Sequence, residues 1–309
     1  MNNGLNGISD IASSEGNLIH FDIICRILEK DHSLRKKKIF ELYAKELDTS
    51  SYNSFERKIS IMQKLNMLQI VDNKCILDSS GKVVNKLISK NSLLDNSSKS
   101  FYFIILFKSI ARNQLATLVK TINLQQGLQK KDILIKYFST PIAQQLWDTA
   151  SNNMQSLKDT GVIPSMINNK FTCMTKWLDT IDMIYQNRGK FYTNLSQEII
   201  DSICNEKRIL NVFEDSSKIY FKNCVKYKTK NHYKELKLLV PKAHEIFCIK
   251  RSGISDFKAV MKYVCLKLLG KKIILEEKQF HEEIKKLVSD KIVRSVMVGR
   301  DGIPKNMSI

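Results

Sequence analysis

Residues 62–81 read Met62-Gln-Lys-Leu-Asn-Met-Leu-Gln-Ile-Val-Asp-Asn-Lys-Cys-Ile-Leu-Asp-Ser-Ser-Gly81, and the whole fold assignment turns on them. Asn66 follows a stretch with helical spacing (Phe55, Ile59, Met62, Leu65) and suits the left-handed position that stops a helix. Met67–Val71 and Cys75–Leu77 are two apolar runs around the polar turn Asp72-Asn73-Lys74, which predicts a β-hairpin. Working outward, Ile19, Ile23, Ile24, Ile27 and Leu28 keep helical spacing. Ser33 is placed to cap a second helix with Ile39, Phe40, Leu42, Tyr43 and Leu47 on its inner face. A third helix begins at about Ser51 or Ser54, and a last one, Lys82 to Ile88, follows Ser79-Ser80-Gly81.

Three helices, a two-stranded wing and a closing helix resemble the winged helix-turn-helix DNA-binding superfamily. Many of its members run from the third helix into leucine-x-x-x-glycine-leucine-isoleucine, with leucine-threonine-x-x-glycine after the wing. Met62–Leu68 and Leu77-Asp78-Ser79-Ser80-Gly81 stand in those places. A second match centres on residues 140–163, where Leu157–Ile163 lines up with Met62–Leu68 and Gly161 takes the place of Asn66. The helix before it, Phe101 to Val119, reads as buried. A third match is Leu287–Val293, reached by a helix from Glu276 through Phe280 and Ile284. A hairpin Val293–Val298 and Ile303–Ile309 then turns at Gly299-Arg-Asp-Gly302. The weakest match ends at Ile209-Leu210, with a helix from Leu195 to Asn205.

The fold class expected is therefore mainly α with small β-hairpins, as tandem winged-helix domains without a fixed repeat period. The expected boundaries are a flexible tail at 1–16, winged helices at 17–95 and 99–175, a degenerate unit with a basic ribbon at 176–240, and a winged-helix-like C-terminal domain at 241–309.

Composition agrees with that class. The 309 residues include only 11 Gly and 4 Pro, too few for turn-dense all-β architectures. With 43% apolar residues the chain can bury real cores. The seven cysteines show no C-x-x-C spacing, which points to free thiols in a reducing cytoplasm and away from zinc fingers. No apolar run is long enough to span a bilayer, and the polar N-terminus lacks a signal-peptide pattern. A cytoplasmic protein with no membrane association is the expectation.

Fifty Lys and Arg against 31 Asp and Glu leave a formal charge of +19, with residues 191–309 carrying 24 basic and 14 acidic groups. The densest stretch, Lys218–Lys237, holds seven lysines and one acid. As a strand it would set Lys222, Lys226, Lys228, Lys230 and His232 on one face and Phe221, Val225 and Tyr227 on the other. Such a charge balance points to a polyanion partner.

No catalytic signature accompanies it. The five histidines lack zinc-helix spacing, Leu268-Leu-Gly-Lys-Lys272 lacks the glycine and hydroxyl residue of a phosphate loop, and no G-x-S-x-G elbow occurs. Glu276-Glu277-Lys278 contains the Glu-x-Lys step of many metal-dependent nucleases, with Asp256 the nearest further acid, but its acids also suit a helix start. The reading is a non-enzymatic protein with no cofactor and no metal.

The function expected is duplex DNA binding in transcription regulation or other DNA transactions. Tyr52, Asn53, Arg57 and Lys58 are the base-facing candidates of the first unit, and Ser151, Asn152, Asn153 and Gln155 those of the second. Lys74, Lys170, Lys222, Lys226, Lys228 and Lys230 are the phosphate contacts. The alternatives are a protein-binding scaffold subunit of a transcription or replication complex, a plasmid-type replication initiator and, less favoured, a metal-dependent nuclease.

Overall fold

A computed structural model describes residues 18–47, 51–87, 96–108, 112–146, 155, 157–193, 195, 197, 200, 224–249 and 252–309. The chain is mainly helical with small sheets, which agrees with the coarse fold class read from sequence. It divides into two compact units: residues 1–21, 40–65 and 102–209 form the first, and 22–39, 66–101 and 210–309 the second.

In chain order the first segment runs α1 (Ile19–Asp31), β1 (Leu34–Arg35), α2 (Lys36–Leu47), α3 (Tyr52–Lys64), β2 (Leu68–Val71), β3 (Lys74–Leu77) and α4 (Ser79–Leu87). Ser33 does not cap α2, because the short strand β1 intervenes. Ser51 caps α3, its hydroxyl accepting the Ser54 N–H at 3.3 Å. Phe40, Tyr43 and Phe55 hold α2 against α3 through ring contacts of 5.3–5.4 Å. Asn66 takes the left-handed φ of 54° that its place in the sequence predicts.

Asp72 and Asn73, at φ 49° and 60°, make the tight turn that pairs Leu68 with Leu77 and Val71 with Lys74. Positive φ at both central residues is the turn geometry that matches strand twist. β3 then pairs with β1, giving sheet order β1-β3-β2. Asp78 caps α4 by accepting the Gly81 N–H at 2.8 Å. Gly81 is obligatory here, since a Cβ would collide with the Met67 carbonyl oxygen.

Next come α5 (Asn96–Lys108), α6 (Arg112–Leu124), β4 (Leu128–Gln129), α7 (Lys130–Phe138), α8 (Pro141–Leu146), α9 (Ser165–Thr180), β5 (Tyr185–Asn187) and β6 (Lys190–Tyr192). The helix expected over Phe101–Val119 is two helices, α5 and α6; Phe101–Phe107 is buried throughout. The sheet order is β4-β6-β5. Leu128 pairs with Phe191 and Gln129 with Lys190, the register that Leu34 and Arg35 keep with Cys75 and Lys74.

The last segment runs β7 (Val225–Lys226), α10 (Thr229–Phe247), β8 (Cys248–Ile249), β9 (Ile254–Asp256), α11 (Phe257–Gly270), β10 (Ile273–Ile274), α12 (Glu277–Ser289), β11 (Ser295–Val298) and β12 (Pro304–Ser308). Its main sheet has the order β11-β12-β9-β8, so the β9-β12-β11 part repeats the arrangement of the other two sheets. β7 pairs in parallel with β10.

Three times, then, a helix, a short strand, further helices and a hairpin follow one another among the described residues, with the short strand paired to the hairpin's second strand; the second copy adds α8 and the third adds β8 and β10. Phe55, Phe171 and Phe280 are buried at one matching place on the helix leading into each hairpin, eleven residues before the residue that ends it. Asn66, Asp182 and Lys291, at φ 54°, 57° and 58°, end that helix. In the latter two the next N–H (Met183, Ile292) reaches back 2.9 Å to the carbonyl of Leu178 or Leu287, which satisfies a helix-end carbonyl and turns the chain into the strand.

Two sequence expectations fall here. The described part of the basic stretch, from Cys224 on, is not an extended ribbon: there Val225–Lys226 alone is strand, and from Thr229 on it is helix, with Leu236, Val240 and Ala243 on the buried side of α10. Val225 is exposed, opposite to its expected role, while Tyr227 is buried. In the second repeat Gly161 does take a positive φ of 70°. The chain then enters α9, however, and the helix that leads into the hairpin ends at Thr180, with Asp182 in the role assigned to Gly161. The unit expected to end at Ile209-Leu210 lies almost wholly outside the described residues.

Replacing Gly81 with Ala is expected to lower stability by about 1–3 kcal/mol, since backbone must move to admit the methyl group. A chemical-denaturation midpoint unchanged from the parent protein would show that the Gly81–Met67 approach is looser than described.

Candidate nucleic-acid interface

The sequence places its candidates on the helix before each hairpin and on the hairpin itself. On α3 the exposed residues Asn53 and Arg57 are four apart and so share one face. Neither has a charged partner among the described residues. Tyr52 is only half-exposed, because its ring packs edge-on against Phe40 at 5.0 Å and against Phe55 at 6.0 Å.

Lys58 is not on this face. It is 3% exposed, its amine donating to Ser54 Oγ at 2.9 Å and lying 5.8 Å from the centre of the Tyr43 ring. Three residues after Phe55, it falls on the inner side of α3, and its long apolar stem fills space there. Lys170 is likewise buried, at 8% exposure on α9, immediately before Phe171. Neither lysine is available to a phosphate. Lys74, by contrast, is exposed at the start of β3.

Ser151, Asn152 and Asn153 lie outside the described residues, as does Lys222. Gln155 is exposed, and its amide donates to Asp159 Oδ1 at 2.8 Å. Lys226 is exposed but faces Glu276 at 4.0 Å. Lys228 and Lys230 are exposed around the start of α10, where His232 Nδ1 accepts the Lys228 N–H at 2.9 Å. These three lysines therefore sit on a strand end and a helix start, and do not form a row along one strand.

Sequence reasoning misses the second repeat's own surface. α9 presents Ser165, Asn169 and Lys176 to solvent, and Asn169 occupies the place that Asn53 has two residues before the buried Phe. The hairpin turn is Arg188-Gly189, at φ 48° and 75°, followed by exposed Lys190. Tyr185 and Tyr192 stack across the strands, 5.3 Å apart and 16° from parallel. Lys130, at the start of α7, donates to Thr172 Oγ1 at 3.0 Å and lies 5.3 Å from the Phe171 ring centre; burial holds its pKa below the usual lysine value. The legible signal is Arg-Gly between Tyr-Gln-Asn and Lys-Phe-Tyr, a tight-turn pair between two short strands.

The third repeat has a different surface. Glu282 stands on α12 where Arg57 stands on α3. Glu283 is 2% exposed and gathers Thr229 Oγ1 at 2.6 Å, Lys286 Nζ at 2.7 Å and Tyr227 Oη at 3.4 Å. Burial and that carboxylate both push the Tyr227 phenol well above its ordinary pKa. Glu276 is the cap residue of α12, and Asp256 caps α11 by accepting the Ala259 N–H at 3.2 Å while holding Lys82 at 3.1 Å. Of the acids considered for a nuclease, Asp256 is thus engaged in a helix start, while Glu276 stands at the cap position of α12 without a side-chain cap bond and faces Lys226. No group of three or more His, Cys, Asp or Glu among the described residues is arranged to hold a metal ion. No helix among them is long and apolar enough to cross a membrane.

No protein-family model, curated protein or solved structure matches this chain.

If Lys58 acts by packing, Lys58→Ala costs about 1–3 kcal/mol of stability, whereas Asn53→Ala and Arg57→Ala stay within about 0.5 kcal/mol. Urea midpoints of the three variants check this. Equal midpoints would return Lys58 to the exposed face.

Proposed function

We propose that the chain is a duplex-DNA-binding protein whose three repeats are winged helices, the helix before the hairpin being the reading helix of the first two units. The observation that carries this reading is the threefold recurrence of one sheet order, a short strand beside the second strand of a hairpin that follows helices. That order is the one expected of a winged helix, and exposed cations stand at or beside each hairpin turn: Lys74 in the first copy, Arg188 and Lys190 in the second, Arg300 in the third. The net charge of +19 gives the phosphate attraction such a protein needs. Asn53 and Arg57 on α3, and Asn169 with Lys176 on α9, have side chains suited to base edges and the phosphates beside them. Lys74, Arg188 and Lys190 flank the backbone.

A second role is favoured for the third repeat. Glu282 on its helix opposes a phosphate, and its hairpin exposes Met297, Val298 and Ile303. This surface fits a protein partner better than a nucleic acid, so the chain joins DNA to other components of a transcription or replication assembly.

Fluorescence anisotropy with random duplex, single-stranded DNA and duplex RNA, at low and moderate salt, tests the main reading. Duplex DNA is expected to bind with affinity that falls steeply as salt rises. Binding to none of the three would overturn it. Arg57→Ala is expected to weaken binding to a selected duplex by about 1–3 kcal/mol, with the thermal midpoint unchanged. An unaltered affinity would remove α3 from the interface.

A further inference from the structure

The edge of the first repeat's sheet carries a charge arrangement that folding alone disfavours. Arg35 on β1 is directly opposite Lys74 on β3. Residues so paired share one face of the sheet, and like charges there are destabilising. Their neighbours Leu34 and Cys75 turn the other way, Cys75 being fully buried. Lys36, Lys37 and Lys38 follow Arg35 without a break, and Lys36 is close enough to Cys75 to act on its thiol. The acid of this hairpin, Asp72, sits in the turn. None of Arg35, Lys37 and Lys74 has a carboxylate partner among the described residues, and all three are exposed.

The same register position differs in the other two repeats. In the second, Gln129 faces Lys190, leaving one cation. In the third, Asp256 faces Asn306, leaving an acid. That acid has a use inside the molecule: it receives Lys82 from α4. In return Lys262 of α11 reaches Ser79 Oγ at 3.0 Å and Ser80 Oγ at 2.7 Å at the start of α4, next to Asp78. Within the second compact unit, the two helices thus each send a lysine to the other's capped start. The groove beside this contact is lined by Gln69, Asp78, Lys82, Asp256, Lys258 and Lys305 among others, with acids and lysines mixed.

We propose that the two register positions have divided the work: the Arg35–Lys38 and Lys74 edge of the first repeat docks the sugar-phosphate backbone of duplex DNA, while in the third repeat the matching position, Asp256 on the inner strand β9, docks the chain's own helix α4 and takes no part in DNA binding. The proposal rests on the duplex-binding reading above and assigns that binding to one edge. A polyanion relieves the Arg35–Lys74 repulsion and is attracted by the lysines beside it. The Asp256 carboxylate repels a phosphate and already holds Lys82.

The test uses the full chain and a random-sequence duplex of about 30 base pairs, with affinity measured across salt concentrations. Each phosphate contact contributes about 0.9 to the slope of log affinity against log salt. The triple variant Arg35→Ala, Lys37→Ala, Lys74→Ala is expected to lose about two to three contacts' worth of slope, and at least about tenfold in affinity near 0.1 M salt. The double variant Lys258→Ala, Lys305→Ala is expected to change the slope by less than about one contact. Asp256→Ala is expected to lower the thermal midpoint and leave the slope in place. Arg35→Gln with Lys74→Gln supplies the same reading if the triple variant folds poorly. A parent slope retained by the triple and Gln variants, in a protein that binds duplex, overturns this division alone. An equal or larger loss in the third-repeat variants does the same. Failure of the unaltered chain to bind any duplex overturns both this proposal and the function it rests on.

Discussion

Each hairpin depends on a single residue that reverses the backbone at the end of the preceding helix. Asn66, Asp182 and Lys291 all adopt left-handed φ values between 54° and 58°. For residues other than glycine that conformation costs energy, so it persists where the surroundings hold it. Here the returning N–H groups of Met183 and Ile292 satisfy helix-end carbonyls that would otherwise be left open. The reversal also commits the next apolar residues, Met67, Leu68, Met183, Ile184 and Val293, to burial. Register comes from the same commitment, because a one-residue slip would turn the buried set outward.

From that fixed exit the outer surfaces diverge. One interior position keeps its chemistry, as the buried Phe55, Phe171 and Phe280 show, whereas three residues on the buried residue is Lys58, Met174 or Glu283. Exposed positions at matching places change too: Arg57 on α3 becomes Glu282 on α12, and Lys74 on β3 becomes Asn306 on β12. A shared aromatic position with changing charge outside suits a division of labour among repeats. The two lysine-to-helix-start contacts between α4 and α11 give the third repeat's altered position a concrete task.

Much of the first repeat is legible in its sequence because each signal there is strong. Asn66 favours left-handed backbone, Asp72-Asn73 favours the tight turn, and helical spacing is clear on both sides. The second repeat is hard to place for physical reasons. Gly161 is also left-handed and precedes apolar Val162 and Ile163, so it imitates a hairpin entry. At the true entry Asp182 advertises less, and Tyr185, Gln186 and Asn187 are all exposed, which removes the apolar alternation that marks a strand. The basic stretch misleads because lysines at even positions suit a ribbon, yet Leu236, Val240 and Ala243 return at helical spacing and give α10 a face to bury. Residue type alone sends Lys58 and Lys170 to the surface. Their stems are apolar, and type does not distinguish a lysine packed along an aromatic ring from one in solvent.

The central claim is that the first two repeats present helix and hairpin to a DNA duplex. Backbone amide chemical-shift mapping during titration with a short duplex measures that most directly. The account predicts shifts concentrated at residues 34–38, 52–57, 72–76, 165–176 and 185–190, with α12 unmoved. Shifts confined to α12 and its hairpin, or absent from all of these segments at saturating duplex, would contradict it.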